Sequence, residues 1–200
     1  MIDNKILILE GGFNEEHEVS LETGIQIKKS LKNLGIKFDS IIINPKNFEK
    51  IIKSYSSEYI CFNALHGPFG EDGKIQKILD KYGFKYTHAN ANSSHIAFNK
   101  IKTKNEVINI SVPTPYFKTL RFKELNKQIL TNLFQKIGPY VIKPNSSGSS
   151  YGVKIIKNED SINYFLKEIK NNINIYKNNK ELIIEKYIPG RELTVAVLNN

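Results

Sequence analysis

Short apolar runs alternate with helix-like segments over the first ninety residues of the chain. The runs at 6–9, 41–43 and 59–62 are rich in β-branched or aromatic residues, as buried strands are. The segments between them include apolar residues at helical spacing. This β-α-β-α-β order predicts a parallel sheet with helices on its faces. Ligands of such sheets gather at the carboxyl ends of the strands, where Gly11-Gly12 and His66-Gly67 fall.

A second unit of mixed α+β type is predicted from about residue 94. A helical stretch at 94–110 runs into two prolines at 113 and 115, which stop the helix and favour extended backbone. The pattern beyond them predicts strands at 115–119, 139–143, 152–156, 181–187 and 191–198, helices at 122–136 and 159–170, and a polar connector at 170–180. We therefore divide the chain into residues 1–93 and residues 94–200.

The composition argues against several classes of protein. The net charge of +9 would suit a nucleic-acid partner, but only two of the 29 basic residues are arginine and the lysines are scattered, which favours a solvated surface. The apolar run at 6–9 is too short for a signal peptide or a membrane span, so we expect a cytoplasmic protein without membrane contact. The single cysteine, Cys61, lies in an apolar string and is expected to be buried.

A glycine and serine loop at 144–152 follows Lys143 directly. Small residues let successive main-chain N–H groups approach phosphate oxygens, and a lysine on the preceding strand would add a cation there. Without that lysine, an ordinary turn would be the better interpretation. The pattern indicates a nucleotide site with the loop as a flexible lid over the triphosphate.

The segment 182–192 is predicted to form an apolar strand, a turn and the start of a second strand. Free main-chain groups at a strand edge can bond an adenine, and the carboxylate of Glu192 can accept from ribose hydroxyls. The alternative is a plain hairpin with Glu192 on its surface.

Acidic segments at 15–20 and 66–73 follow two of the predicted strands. A carboxylate held at a strand end suits a ligand with an amino group, although glutamates at a helix start also suit the helix dipole. His66 could orient a substrate carboxylate, or it could be a structural histidine of the turn. The spacing of histidine, cysteine and acidic residues predicts no metal site.

Taken together, these segments resemble the successive motifs of D-alanyl-D-alanine ligases, and the order and spacing match over residues 5–198. The matching residues are Gly11, Gly12, Glu16, His17, Glu18, Val19, Ser20, His66, Gly67, Gly70, Glu71, Asp72, Gly73, Gln76, Lys143, Pro144, Gly148, Ser149, Ser150, Gly152, Glu185, Lys186, Gly190 and Glu192. The resemblance implies an α/β chain. A Rossmann-like pre-ATP-grasp domain would bind substrate, and an incomplete ATP-grasp α+β domain would follow it.

The resemblance also implies the chemistry and the residues that perform it. ATP would phosphorylate the carboxylate of one D-alanine, and the amine of a second would attack the acyl phosphate, giving D-alanyl-D-alanine for peptidoglycan. Glu16 would hold the first ammonium beside His66 and Val19, and Ser149 would close the lid onto Glu16. The implied nucleotide residues are Lys100, Lys143, Gly148, Ser149 and Ser150 for the phosphates, and Glu185, Lys186, Ile188 and Glu192 for adenine and ribose.

The sequence departs from the family pattern at three places. Asn99 stands where the family usually has aspartate, Ser147 where it often has glutamate, and Thr87-His88-Ala89 replaces a threonine-glycine-serine turn. The ligands for magnesium are expected beyond Asn200, so we expect the 200 residues alone to make no dipeptide. A D-alanine:D-lactate ligase and a non-catalytic nucleotide-binding module stay open as alternatives, as does a homodimer.

Overall fold

The computed structural model describes residues 5–171, 176 and 181–197. It consists of two compact units. The first comprises Met1–Ile110 with Asn145–Tyr151, and the second comprises Ser111–Pro144 with Gly152–Asn200. The boundary between functional domains at 93/94 stays a prediction, since compactness alone defines these units.

The first unit is built on a parallel sheet, as predicted. Its elements in chain order are β1 (Ile6–Gly11), α1 (His17–Asn33), β2 (Phe38–Ile43), α2 (Phe48–Ile52), β3 (Ile60–Asn63), α3 (Lys74–Lys81), β4 (Lys85–Tyr86), α4 (Ala91–Phe98) and α5 (Lys100–Asn109). The strand order is β2-β1-β3-β4, and all neighbours are parallel. Both glycine-containing motifs therefore follow adjacent central strands, β1 and β3.

The central strand β1 is buried on both faces, which explains its unbroken apolar run. Leu7 and Leu9 pack into one core cluster, and Ile8 packs into a second with Leu31 of α1. Cys61 on β3 is buried, as predicted, and burial raises the pKa of its thiol to about 12. Its chemistry is therefore that of a core side chain.

The predicted helix at 94–110 is wrong in one respect, because the chain forms two helices that meet at Asn99. The backbone of Asn99 is extended (φ −94°, ψ 103°), and its side chain accepts a hydrogen bond of 2.9 Å from the Lys102 N–H at the start of α5. Helical spacing continues across such a cap, so the break is not visible in the apolar pattern.

Replacing Asn99 with alanine is expected to lower the free energy of unfolding by about 1 kcal/mol, because the N-cap acceptor is lost. Replacing it with aspartate, the residue usual in the family, is expected to leave stability nearly unchanged. Urea denaturation of the three proteins measures the difference. Equal stability of the alanine variant and the parent would show that this cap contributes nothing.

The second unit is built on an antiparallel sheet. Its elements are β5 (Phe117–Arg121), a short 3₁₀ turn at 122–124, α6 (Lys127–Ile137), β6 (Tyr140–Pro144), β7 (Lys154–Ile156), α7 (Glu159–Asn171) and β8 (Glu181–Lys186). The strand order is β5-β8-β6-β7. Tyr140, Ile142, Phe165 and Ile184 form part of a single core cluster. The mixed α/β class is confirmed.

Three predictions about the second unit need correction or fall outside the described residues. The helix predicted at 122–136 starts as a 3₁₀ turn, and α6 itself begins after the capping residue Asn126. The strand predicted at 191–198 is wrong, because 191–197 is irregular and exposed. In the connector predicted at 170–180, α7 continues to Asn171 and Tyr176 is helical and buried, while the rest of that segment and residue 198 lie outside the description.

Within residues 5–171, 176 and 181–197, we find no helix that combines the length and the apolar character needed to cross a membrane.

Candidate functional site

Hydrogen bonds join the start of α1 to the carboxyl ends of the two central strands of the first unit. The hydroxyl of Ser20, one turn into the helix, donates to the Ala64 carbonyl just after β3. The same hydroxyl accepts from the N–H of Gly11 at the end of β1, and both distances are 2.8 Å. Because Ser20 is fully buried, these bonds fix where the residues before it lie.

Asn14 connects the two acidic motif segments. Its amide donates to the carbonyls of His66 (2.8 Å) and Pro68 (3.2 Å). Its side-chain oxygen accepts from the Glu16 N–H at 2.9 Å. The sequence pattern alone gives Asn14 no role, although an asparagine two residues before the N-cap of a helix is a common turn former. It holds Glu16 and the His66 turn together.

The carboxylate of Glu16 is buried at the start of α1. Among the described residues, no main-chain N–H of the first helical turn bonds to it, so this side chain does not cap the helix by a hydrogen bond. Instead it accepts a hydrogen bond from the hydroxyl of Ser149. The structure thus brings together two residues that lie 133 positions apart in the sequence.

The loop at 145–151 is held on the start of α5. The buried Asn145 accepts from the N–H groups of Lys100, through its carbonyl, and of Ile101, through its side chain, both at 3.0 Å. The ammonium of Lys100 donates to the Ser147 carbonyl at 2.7 Å. Lys100, which we assigned to nucleotide phosphates, therefore contacts the main chain of the predicted lid.

The tip of this loop has strained backbone. Ser149 and Ser150 have φ values of 43° and 55°, in the left-handed region that residues with a side chain seldom adopt. Such strain persists where surrounding contacts fix the conformation, and it is common at ligand-binding sites. The hydroxyl of Ser149 reaches Glu16 from this turn.

Two carboxylates lie beside Gly148. A Cβ at this position would lie 3.0 Å from Oε2 of Glu16 and 3.7 Å from Oε2 of Glu71. Burial raises the pKa of Glu71, and the nearby charge of Glu16 raises it further, although a hydrogen bond from the main chain of Gly67 acts in the opposite direction. A pair of close carboxylates suits a cationic ligand. Glu71 belongs to the acidic segment at 66–73, and the sequence pattern alone does not assign it to the site.

His66 lies next to these acids. Its Nδ1 is 3.8 Å from Oε1 of Glu71, and its Nε2 is 2.9 Å from the hydroxyl of Thr23. Val19, predicted as a neighbour of the substrate, is about half exposed, and its carbonyl accepts from Thr23 at 2.9 Å. The first unit therefore holds the three residues predicted to bind the first D-alanine, Glu16, Val19 and His66, together with Ser149.

In the second unit, Lys143 on β6 forms an ion pair with Glu185 on β8. Val141 lies directly opposite Glu185, so Lys143 is the diagonal neighbour on the same face of the sheet. Both side chains are largely buried. The predicted phosphate contact and one predicted adenine contact thus touch each other.

The prediction of a free edge along β8 is wrong, because β8 lies between β5 and β6. The N–H groups of Lys186 and Tyr187 donate to the carbonyls of Tyr116 and Pro139, both at 2.9 Å. The next N–H along the chain is that of Ile188, whose side chain is exposed. Main-chain recognition of a base is therefore restricted to carbonyls and to groups from Ile188 onward.

In the described part of the chain, no three histidine, cysteine or acidic side chains are grouped so as to hold a metal ion.

Comparison with known proteins shows which proteins the chain is similar to. Residues 106–200 match the family model described as "D-ala D-ala ligase C-terminus". The D-alanine–D-alanine ligase of Pelagibacter ubique is 41% identical over 199 residues, which cover 98% of this chain and 62% of the relative. Over almost its whole length, the chain is similar to D-alanine–D-alanine ligases.

Solved structures of the family have the same fold. A D-alanine–D-alanine ligase from Bacillus anthracis is 32% identical with a TM-score of 0.77, and the match covers 94% of this chain and 58% of that one. The enzyme from the same species complexed with ATP is 31% identical with a TM-score of 0.74, over 94% and 60% of the two chains. The chain thus spans about three fifths of the length of these relatives.

The departures from the family pattern have local explanations. Asn99 caps α5 with the same kind of acceptor that an aspartate would offer. Ser147 contacts Lys100 through its carbonyl, which any residue supplies. His88 has a φ of 82°, where the glycine of the family would be unstrained and where histidine is one of the better tolerated alternatives.

Proposed function

We propose that this chain provides the first D-alanine site and part of the ATP site of a D-alanine–D-alanine ligase. ATP phosphorylates the carboxylate of the first D-alanine, and the amine of the second displaces the phosphate from the acyl carbon. The dipeptide serves peptidoglycan synthesis, and the reaction takes place in the cytoplasm. A homodimer stays a prediction.

The contact between Glu16 and Ser149 carries this proposal. It places a buried carboxylate, a hydroxyl from a strained loop, and the second carboxylate of Glu71 in one small region. A buried carboxylate needs a cation or hydrogen-bond donors as partners. The ammonium of D-alanine supplies a positive charge and three N–H donors, so Glu16 binds it and Glu71 adds to the attraction.

His66 and Ser149 act on the other parts of the first substrate. His66 lies beside Glu71 and binds the carboxyl end of the amino acid whose ammonium is bound by Glu16. Ser149 keeps the loop closed over that site through its bond to Glu16. An acyl phosphate is destroyed by water, so a loop that excludes solvent protects the intermediate.

Two groups of residues are assigned to the nucleotide. Lys143 binds a phosphate, and the phosphate takes the place of Glu185 as partner of the ammonium. Lys100, Gly148, Ser149 and Ser150 form the phosphate-facing loop and its support. Glu185, Lys186, Ile188 and Glu192 bind adenine and ribose. The ATP complex of the Bacillus anthracis relative supports this assignment of the ligand.

The activity is tested with the full-length gene product that contains this sequence. We expect release of inorganic phosphate from ATP to depend on D-alanine and to match the amount of D-alanyl-D-alanine formed. A product that contains D-lactate when both compounds are offered would identify the depsipeptide variant. ATP binding without any D-alanine-dependent turnover would contradict the proposal and favour a non-catalytic nucleotide-binding module.

Two glycines allow a matched test of where Glu16 must lie. Gly67 and Gly35 have φ values of 71° and 66°, so alanine costs about 1–2 kcal/mol of stability at either site. A Cβ at Gly67 would overlap the carboxylate of Glu16, whereas at Gly35 no heavy atom of the described residues lies within 4 Å. Gly67→Ala is therefore expected to weaken D-alanine binding strongly.

The control variant Gly35→Ala is expected to lose similar stability and to bind D-alanine as the parent does. Calorimetric titration of both variants, below their unfolding temperatures, makes the comparison. Equal D-alanine affinity of the two variants would show that the position of the Glu16 carboxylate is unimportant for the substrate.

A further inference from the structure

Thr23 makes two hydrogen bonds through one hydroxyl group. Its Oγ1 lies 2.9 Å from the carbonyl of Val19, one turn earlier in α1, and 2.9 Å from Nε2 of His66. A threonine hydroxyl has a single proton to donate and two lone pairs to accept with. One of these two contacts therefore uses the proton of Thr23, and the other must use a proton from the partner.

The chemistry of the two partners, the Val19 carbonyl and the His66 ring, determines which contact uses the proton of Thr23. The Val19 carbonyl can only accept, so its contact at 2.9 Å needs the proton of Thr23. The contact to His66 then needs a proton on Nε2. If Thr23 donated to His66 instead, the hydroxyl oxygen of Thr23 and the carbonyl oxygen of Val19 would lie 2.9 Å apart with no proton between them. The ring proton would then lie on Nδ1, which is 3.8 Å from Glu71 and beyond hydrogen-bond distance.

We propose that Thr23 is a positioning residue that selects the Nε2–H tautomer of His66, so that Nδ1 is the nitrogen that acts on the substrate. This inference rests on the proposed function only for the identity of that substrate. Nδ1 is the ring nitrogen that faces the carboxylate of Glu71. Thr23 lies two helical turns after Glu16, so the same helix fixes the carboxylate for the ammonium and the orientation of the imidazole.

The tautomer determines what His66 does to D-alanine. A neutral ring with its proton on Nε2 presents a lone pair at Nδ1, so it cannot donate a hydrogen bond to the substrate carboxylate from that atom. The ring donates from Nδ1 to a carboxylate only when it is protonated. Loss of the Thr23 hydroxyl would let the neutral ring change tautomer, which alters the substrate contact without removing His66.

The tautomer is measured by nitrogen-15 NMR of histidine-labelled protein at a pH at which His66 is neutral, with His66→Gln to assign the signals. The parent is expected to show a protonated Nε2 and an unprotonated Nδ1. Thr23→Val, which keeps the shape and removes the hydroxyl, is expected to move both shifts toward an average of the two tautomers. Thr23→Ser is expected to restore the pattern of the parent.

A proton on Nδ1 in the parent overturns the inference, and this result does not require any Thr23 variant to fold. Unchanged shifts in Thr23→Val, with the dispersed amide spectrum of a folded protein, also overturn it. In the full-length gene product, Thr23→Val is expected to lower kcat/KM for D-alanine by about two- to tenfold, the value of one hydrogen bond, with the KM for ATP unchanged. If the NMR result holds but no D-alanine-dependent activity exists, the proposed function fails and the tautomer assignment stands.

Discussion

Replacing Glu16 with glutamine is expected to weaken D-alanine binding by at least about tenfold, since a charge-assisted contact contributes about 1.5–3 kcal/mol. The substitution preserves the size of the side chain and an oxygen that can accept from Ser149, so it removes only the charge that faces the ammonium. Affinity for a non-hydrolysable ATP analogue should stay unchanged. Calorimetric titration with each ligand measures both quantities.

Glu18→Gln is the matched control, because Glu18 is an exposed glutamate in the first turn of the same helix. It is expected to leave the affinities for both ligands at the parent values. If the two glutamine variants bind D-alanine equally well, the carboxylate of Glu16 has no part in recognising the substrate.

Replacing Lys143 with methionine is expected to lower ATP affinity by at least about tenfold, because a charge-assisted contact to phosphate is lost. Methionine retains much of the apolar stem, so packing of β6 is largely preserved. D-alanine affinity should not change. The loss of the ion pair with the buried Glu185 is expected to lower the melting temperature as well.

Lys118→Met on β5 is the control for removal of a lysine from the same sheet, since Lys118 is exposed. It should bind ATP as the parent does. Calorimetry is carried out well below the melting temperatures, which separates ligand affinity from stability. A parent-like ATP affinity in Lys143→Met would show that Lys143 serves only its ion pair.

Much of the fold could be predicted from the spacing of apolar residues, because burial of one or both faces of an element determines that spacing. The strand β1 lies between two others and is covered on both faces, so its residues are apolar without interruption and are easily recognised. The break at Asn99 was missed because a capping asparagine leaves the helical spacing on either side intact. The strand predicted at 191–198 has the alternating pattern, but a strand also needs a neighbour to pair with.

The sequence identified several residues of the site, but it did not reveal the contacts between them. Glu16, His66 and Ser149 were found through motifs and the family resemblance, and the structure places them in one unit. The sequence pattern does not reveal Asn14 and Thr23, since they act through a few hydrogen bonds to main chain or imidazole that leave no periodic signal. The internal position of β8 likewise depends on strand order, which the sequence of one strand does not reveal.

A crystal structure of the protein with D-alanine and a non-hydrolysable ATP analogue tests the central claim most directly. The account predicts that the nitrogen of the first D-alanine lies within hydrogen-bond distance, about 2.7–2.9 Å, of a Glu16 carboxylate oxygen. It also predicts Ser149 on the same carboxylate and Nδ1 of His66 turned toward the substrate. A D-alanine whose ammonium binds elsewhere, with Glu16 contacted by Ser149 alone, would contradict the account.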